Sequence, residues 1–297
     1  MQLFFQDLVN GILAGGILAV AALGFSLVWG ILNIINLAHG TFIMLGAYIT
    51  WQLFTSFHVD PFLSVPIAFA LMYLFGYALQ RGIVNQVVRA PILATFLLTF
   101  GLSLLLVNVA LLIWTGDTRA VSPAYSGANF TVAGVTVPWT KLATLGAALS
   151  ITGLMQLWLK TAKLGRAIRA MAMDVGAAQL AGVRVAHVYA VTFGLGAGLA
   201  GAAGALLSLS YSVNPTMGEP FLIKSFVVCV LGGLGSVEGA LIGGLVYGIV
   251  ESFASQLDVT VFGQHLSGSG LQDVIALAVL LIVLIVRPTG ILGRATA

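Results

Sequence analysis

Long apolar runs separated by short polar stretches extend along almost the whole chain. A helix rises about 1.5 Å per residue and the hydrocarbon core of a bilayer is about 30 Å thick, so a span needs about 20 apolar residues. The runs predict helical segments near residues 8–30, 40–57, 62–80, 91–114, 141–159, 187–211, 223–235, 239–257 and 271–287. Because the seventh is too short to cross alone, we predict an all-α polytopic membrane protein with about eight transmembrane helices plus a short re-entrant or broken segment.

The composition agrees with a membrane-embedded chain. Hydrophobic residues make up 60% of the 297 residues and charged residues only 7%, whereas a soluble domain carries about 25% charged residues. The 36 glycines suit helices that pack backbone against backbone. The net charge of +3 lies in loop clusters, which indicates topology rather than a nucleic-acid partner. With Cys229 as the single cysteine, an intramolecular disulfide or a cysteine metal cluster is excluded.

The basic residues predict an orientation. Cytoplasmic loops carry an excess of Lys and Arg. If the N-terminus is outside and the C-terminus cytoplasmic, the basic residues inside are Arg81, Arg89, Lys160, Lys163, Arg166, Arg169, Arg184, Arg287 and Arg294, and those outside are Arg119, Lys141 and Lys224. We therefore predict one transmembrane domain over 1–297, with a cytoplasmic insert at 160–187 and an external loop at 115–140. Within that loop, Phe130 to Val137 alternates around Ala-Gly as a small β-hairpin does.

Polar side chains interrupt the apolar pattern near residue 36. Asn33, Asn36 and His39 recur at steps of three, ahead of Gly40. On one continuous helix they would share a face. Polar groups at membrane depth need a protein partner or a water-filled cavity, so this face is expected to point inward. The three side chains either line a substrate pathway or hold helices together through hydrogen bonds of about 0.6 kcal/mol each.

A second interruption is the glycine run Gly232, Gly233 and Gly235. It should break the helix and let a short segment turn back, as broken helices do in transporters that expose backbone groups to a pathway. We place the candidate pathway where the two interruptions meet. Its residues are Asn33, Asn36, His39, Gly40, Gly232, Gly233 and Gly235.

The insert carries the most specific motif of the chain. Gly165-Arg166-Ala-Ile-Arg169-Ala, followed by Ala177-Ala178 and Gly182, resembles the cytoplasmic coupling region of ABC importer permeases of the branched-chain amino acid type, the LivH/LivM family. Three further stretches also resemble the LivH side of that family: Asn36-Leu-Ala-His39-Gly40, Gly46-Ala-Tyr48 and Val230-Leu-Gly-Gly-Leu-Gly235-Ser-Val-Glu-Gly239-Ala. Gly176 stands where Glu often precedes Ala-Ala in other importers, so the older type I permease fold is not implied.

This resemblance implies a set of partners. They are a homologous second permease (LivM-like), two cytoplasmic ABC ATPases (LivG/LivF-like) that bind ATP and Mg, and an external substrate-binding protein, all in a bacterial plasma (inner) membrane. The chain has no Gly-x-x-x-x-Gly-Lys-Ser/Thr motif, so we expect no cofactor on this chain and an ATPase motor supplied by the partners.

The same resemblance implies a docking helix at 166–182. Its ATPase-coupling residues would be Arg166, Arg169, Asp174, Ala177, Ala178, Leu180 and Gly182. The arginines have an alternative role as positive-inside anchors on anionic lipid, worth about 1 kcal/mol each.

The predicted function is inward transport of Leu, Ile and Val as the permease subunit of such an importer. A related importer for urea, short-chain amides or another small organic solute is the first alternative. A stand-alone secondary transporter would need a proton or sodium site, and mid-span acidic residues are scarce. An enzyme is disfavoured because the chain has no His-Glu-x-x-His and no Gly-x-Ser-x-Gly motif.

Overall fold

The computed structural model describes residues 2–88, 90–132, 134–257, 259–261, 264–266 and 268–293. These residues form twelve α-helices, one π-helical turn and two β-hairpins. The helices are α1 (Gln2–Leu32), α2 (Ala38–Phe57), α3 (Pro61–Leu79), α4 (Asn85–Val87), α5 (Ile92–Trp114), α6 (Trp139–Thr161), α7 (Lys163–Met173), α8 (Val175–Leu180), α9 (Val185–Leu207), α10 (Gly218–Gly232), α11 (Val237–Ala254) and α12 (Gly268–Val286). The π-helical turn is Gln80–Val84, and the strands are β1 (Asn129–Val132), β2 (Val135–Pro138), β3 (Val259–Val261) and β4 (Gln264–Leu266).

The helices confirm an integral membrane protein. Within the described residues, six helical segments are long and apolar enough to cross a bilayer: Gln2–Leu32, Pro61–Val87, Ile92–Trp114, Trp139–Thr161, Val185–Leu207 and Val237–Ala254. α10 has only 15 residues, as expected for the segment too short to cross alone. The count of eight spans stays a prediction.

Two helices lie at the centre of the fold. The apolar window of α1 is 89% buried and that of α9 is 100% buried. Small residues make this possible, because a methyl group at Gly46 would overlap the backbone of Gly201, and one at Gly204 would overlap the Ile43 carbonyl oxygen. Lipid offers no hydrophobic drive for helix association, so these close van der Waals contacts hold α9 against α2.

Other helices surround this centre with apolar side chains on their outer faces. The windows of α5 and α6 are only 17% and 28% buried. Leu93, Leu112 and Leu154 are more than 60% exposed. Such faces are typical of helices in contact with lipid acyl chains.

One end of the bundle, which we call the hairpin face, carries the β1–β2 hairpin and the start of α1. The hairpin confirms the strand pairing predicted for Phe130 to Val137, with Phe130 opposite Val137. The Gln6 side chain donates to the Thr136 carbonyl and accepts from the Thr136 N–H, both at 2.9 Å. The Tyr125 hydroxyl donates to Asp60 Oδ2 at 2.9 Å. Burial and then this hydrogen bond raise the pKa of Tyr125.

The opposite end, the insert face, carries α7, α8 and residues 287–293. α6 connects the two faces, since it follows β2 directly and ends just before α7. On the insert face, the N–H groups of Ile291 and Leu292 donate at 2.9 Å to the Leu231 and Gly232 carbonyls at the end of α10. The start of α1 and residues 287–293 therefore lie on opposite faces. Arg89 and Arg294, which belong to the predicted inside set, lie outside the described residues.

The contact between Gly204 and Ile43 generates a stability prediction. Gly204→Val should lower the melting temperature of the purified protein in detergent, because overpacking of this kind costs about 1–3 kcal/mol. Gly101→Val is the matched control: it places the same β-branched residue in a helix where nothing lies within 4 Å of the added Cβ. Equal melting temperatures for the two variants would contradict the close contact of α2 with α9.

Candidate functional site

The insert folds as two short helices. The predicted single docking helix over 166–182 is therefore wrong: α7 ends at Met173 and α8 begins at Val175. Asp174 between them has extended backbone angles, φ −158° and ψ 114°, and its Oδ1 accepts the Ala177 N–H at 2.9 Å. Asp competes with helical hydrogen bonding in helix interiors and is favoured as an N-cap, which explains the break.

Gly182 ends α8. Its φ of +83° lies in the left-handed region that favours glycine. The Gly182 N–H donates to the Gln179 carbonyl and the Val183 N–H to the Ala178 carbonyl, both at 3.0 Å. These two bonds form a Schellman motif. Asp174 and Gly182 thus fix the two ends of α8.

The insert has a buried side and an exposed side. Ile168, Met171 and Ala178 are at most 4% exposed and belong to the main core. On the outer side, Met173 is 81% and Leu180 92% exposed. We name the exposed residues Met173, Ala177 and Leu180 the insert ridge. The prediction that Ala178 itself contacts a partner is therefore not supported by its position, whereas Ala177 and Leu180 are accessible.

The two arginines of the insert touch the helix that precedes it. Arg166 Nη1 donates to the Thr161 carbonyl at 3.2 Å and Arg169 Nη2 to the Lys160 carbonyl at 3.3 Å. These carbonyls end α6, where positive charge is favoured. Both arginines are exposed, so they stabilise the junction of α6 with α7 and leave hydrogen-bonding capacity for a partner or for lipid.

The first interrupted segment is not a continuous helix. α1 ends at Leu32 and α2 begins at Ala38, so the prediction that Asn33, Asn36 and His39 share one helix face is wrong. Asn33 has φ +52° and is exposed, and its N–H donates to the Trp29 carbonyl at 3.0 Å. It is a helix-ending residue, a position for which asparagine is suited.

Asn36 and His39 are deeply buried, at 2% and 0% exposure. His39 Nε2 lies 2.9 Å from the Ala21 carbonyl oxygen, which requires the proton on Nε2 and leaves the Nδ1 lone pair free in the neutral ring. In the described part of the chain, neither His39 Nδ1 nor Asn36 Oδ1 has a hydrogen-bond partner. Gly40, the next residue, packs against Gly218 at the start of α10. His39 therefore lies where α1, α2 and α10 come together.

The second interruption connects α10 to α11. Gly232 ends α10 and packs against Gly239, and Gly233 has φ +109° and packs against Gly293. A methyl group at Gly30 would lie 2.8 Å from the Gly235 Cα. The second interruption therefore makes tight backbone contact with α1 just before Asn33. A meeting of Asn33, Asn36 and His39 with this glycine run stays a prediction.

The sequence did not single out a cavity that α1, α10 and α11 line together. Its volume is about 230 Å³. Lys224 of α10 and Glu251 of α11 both line it and form an ion pair with side-chain exposures of 11% and 14%. In the sequence, the signal for this site was a positive charge in one apolar segment, Lys224, and a negative charge in another, Glu251. Only the fold shows that the two charges face each other.

The family of the chain follows from comparison with known proteins. The model of the branched-chain amino acid transport system permease component matches residues 8–284. The chain belongs to this family. It is 34% identical over 305 residues to the high-affinity branched-chain amino acid transport system permease protein BraD of Pseudomonas aeruginosa, with 98% of this chain and 96% of the relative covered. No solved structure matches.

Two further permease relatives are similar over almost their full lengths. The high-affinity branched-chain amino acid transport system permease protein LivH of Escherichia coli strain K12 is 33% identical over 312 residues, covering 98% of this chain and 96% of LivH. A probable LivH of Methanocaldococcus jannaschii is 30% identical over 297 residues, covering 96% and 91%. The resemblance inferred from the insert and the glycine motifs is thus confirmed.

The cap at the break of the insert can be tested in this permease component. Asp174→Ala should speed amide hydrogen exchange at residues 175–181, because loss of an N-cap costs about 1 kcal/mol. Asp174→Asn is the control and should keep near-native protection, since its side-chain oxygen still accepts the Ala177 N–H. Native protection in the alanine variant would show that α8 does not depend on this bond.

Proposed function

We propose that the chain is the membrane permease subunit of an ATP-driven ABC importer that moves branched-chain amino acids inward across a bacterial plasma (inner) membrane. Membership of the branched-chain amino acid permease family carries the substrate class. The insert ridge supports coupling to ATPase partners, because it offers exposed apolar side chains at one end of the bundle. In this arrangement the hairpin face is external and the insert face is cytoplasmic.

The proposed complex contains four kinds of subunit. This chain pairs with a homologous second permease, two cytoplasmic ATPases bind Mg-ATP, and an external binding protein delivers the amino acid. The exposed Leu180 and Met173 side chains have the chemistry of an anchor for an apolar groove, since a few well-buried side chains carry most of the energy of an interface.

Coupling follows from the way the insert is joined to the core. Ile168 and Met171 of α7 are buried in the same core as α9, and α8 leads through Gly182 into α9. ATP-driven closure of the ATPases would displace the insert as a unit. Because α9 is fully buried against α1, α2 and α3, its movement would shift the helices around it. Packed interfaces tend to switch between discrete arrangements rather than deform gradually.

For the pathway, we retain the interrupted segments as the proposed route. The unpaired Asn36 Oδ1 and His39 Nδ1 support it, since unsatisfied polar atoms at membrane depth are costly and are tolerated mainly at functional positions. The contact of Gly30 with Gly235 would then be the closed cytoplasmic end of the route. Asn33, Gly232 and Gly233 would take part as hinge and packing residues.

The orientation can be tested by cysteine labelling in intact cells. Ser126→Cys should react with a membrane-impermeant thiol reagent, and Ala162→Cys should react only after permeabilisation. The native Cys229 is fully buried and serves as the background. The reverse labelling pattern would place the insert outside and overturn the proposal.

The coupling role of the insert ridge can be tested in the reconstituted complex. Leu180→Ser should lower both leucine uptake and binding-protein-stimulated ATP hydrolysis by about tenfold, as expected for loss of an interface anchor. Leu292→Ser is the control, because Leu292 is 41% exposed on the same face and lies outside both the insert and the glycine run. If the two variants lose activity equally, the ridge has no specific role in coupling.

A further inference from the structure

The cavity at the Lys224–Glu251 pair lies in the half of the bundle nearer the hairpin face. Leu13 and Leu18 of α1 line it. With a helical rise of about 1.5 Å per residue, they lie about 10 Å and 18 Å along α1 from Gln6, which bonds to the β-hairpin. Lys141, directly after the hairpin, also lines the cavity. A solute that arrives at the hairpin face would meet this cavity before the layer of Ala21 and His39.

The cavity has an ionic side. Lys224 Nζ pairs with Glu251 Oε1 and lies 3.7 Å from Asp273 Oδ1. Lys141 adds a second positive charge to the lining. Asp273 is not a lining residue and its side chain is 61% exposed, so the lining itself carries two positive charges and one negative charge. Ionisable side chains inside a membrane protein are costly and usually mark a functional position.

The cavity also has an apolar side. Leu13, Ile17 and Leu18 of α1, Leu207 of α9 and Phe221 of α10 line it, and each is at most 5% exposed. An apolar cavity of about 150 Å³ is large enough to bind benzene. The 230 Å³ available here suits a ligand somewhat larger than benzene that has an aliphatic end.

The geometry points to this cavity as a binding site for the zwitterion of an aliphatic amino acid, with Lys224 binding the α-carboxylate, Glu251 binding the α-ammonium group, and the α1 side chains receiving the aliphatic side chain. The assignment rests on the proposed function and extends it to a stated set of residues. A zwitterion that enters between Lys224 and Glu251 replaces one ion pair by two, so every buried charge keeps a partner of opposite sign.

This arrangement has a consequence for selectivity. A neutral zwitterion leaves the net charge of the cavity unchanged, whereas the side-chain charge of a charged amino acid would lie against the apolar wall without a partner of opposite sign. Polar side chains would also lose their hydrogen bonds against Leu13, Ile17 and Phe221. The permease itself would therefore select, inside the membrane, amino acids with aliphatic, uncharged side chains.

The first test removes both charges together, so that neither is left unpaired in the bilayer. Lys224→Met with Glu251→Gln, in the complete complex in vesicles, should lower ATP-dependent leucine uptake by about tenfold or more, since each lost charge-assisted hydrogen bond weakens binding by at least that factor. Co-purification of the partner subunits checks that the variant complex still assembles. Lys160→Met with Glu238→Gln is the matched control, because that ion pair is exposed at 58% and 61% and lies on the insert face.

The second test separates binding from a purely structural ion pair. The exchange Lys224→Glu with Glu251→Lys keeps an ion pair but reverses the polarity presented to the ligand. Uptake should remain low if the site orients the zwitterion against the apolar wall. Uptake within about twofold of wild type in either double variant, a difference too small for a lost charged contact, would overturn the assignment. Lack of leucine uptake by the wild-type complex would instead refute the proposed substrate.

Discussion

Close backbone contact around α1 and α9 is the constraint on which the rest of the structure depends. In lipid, helices gain nothing from hiding apolar side chains, so stability must come from van der Waals contact at short range. Gly46 against Gly201, and Gly15 against Gly244, bring helices to distances that any side chain would prevent. Because these contacts use the backbone itself, α1 and α9 have little freedom to rotate or slide independently of their neighbours.

That tight centre determines where polar groups can lie. Asn36 and His39 enter the bundle only because α1 ends at Leu32 and the chain turns back before α2 begins. The extended segment is stabilised by Thr99, whose hydroxyl donates to the Ile35 carbonyl at 3.0 Å and accepts the Leu37 N–H at 3.3 Å. The same logic applies to the insert, where Asp174 and Gly182 supply the hydrogen bonds that a single long helix would have made internally.

Much of the fold was predictable from local pattern. Apolar runs located the long helices to within a few residues, and the alternation around Gly134 predicted the hairpin, because both signals depend on near neighbours in the chain. The error at Asn33, Asn36 and His39 has a physical cause: a spacing of three is compatible with one helix and also with a helix, a turn and a second helix. The Asp174 cap carried a local signal, since Asp precedes Val-Gly-Ala-Ala, but the resemblance to a single coupling element outweighed it.

What could not be predicted depends on contacts between distant segments. Nothing near Lys224 in the sequence indicates that its partner is Glu251, or that Leu13 and Ile17 face the same space. The burial of Ala178 beside the exposed Ala177 likewise depends on how the insert rests on the core. These contacts arise only in the assembled bundle. The short motifs predicted the family of the chain but not these contacts.

The hydrogen bonds from Ile291 and Leu292 to the end of α10 have a consequence for biosynthesis. The Leu231 and Gly232 carbonyls leave the ribosome long before their donors, because α11 and α12 must be synthesised in between. During that interval the end of α10 lacks these two partners. The α10–α11 connection therefore acquires these two hydrogen bonds only late in translation, and a permease whose synthesis stops before Ile291 would lack both of them.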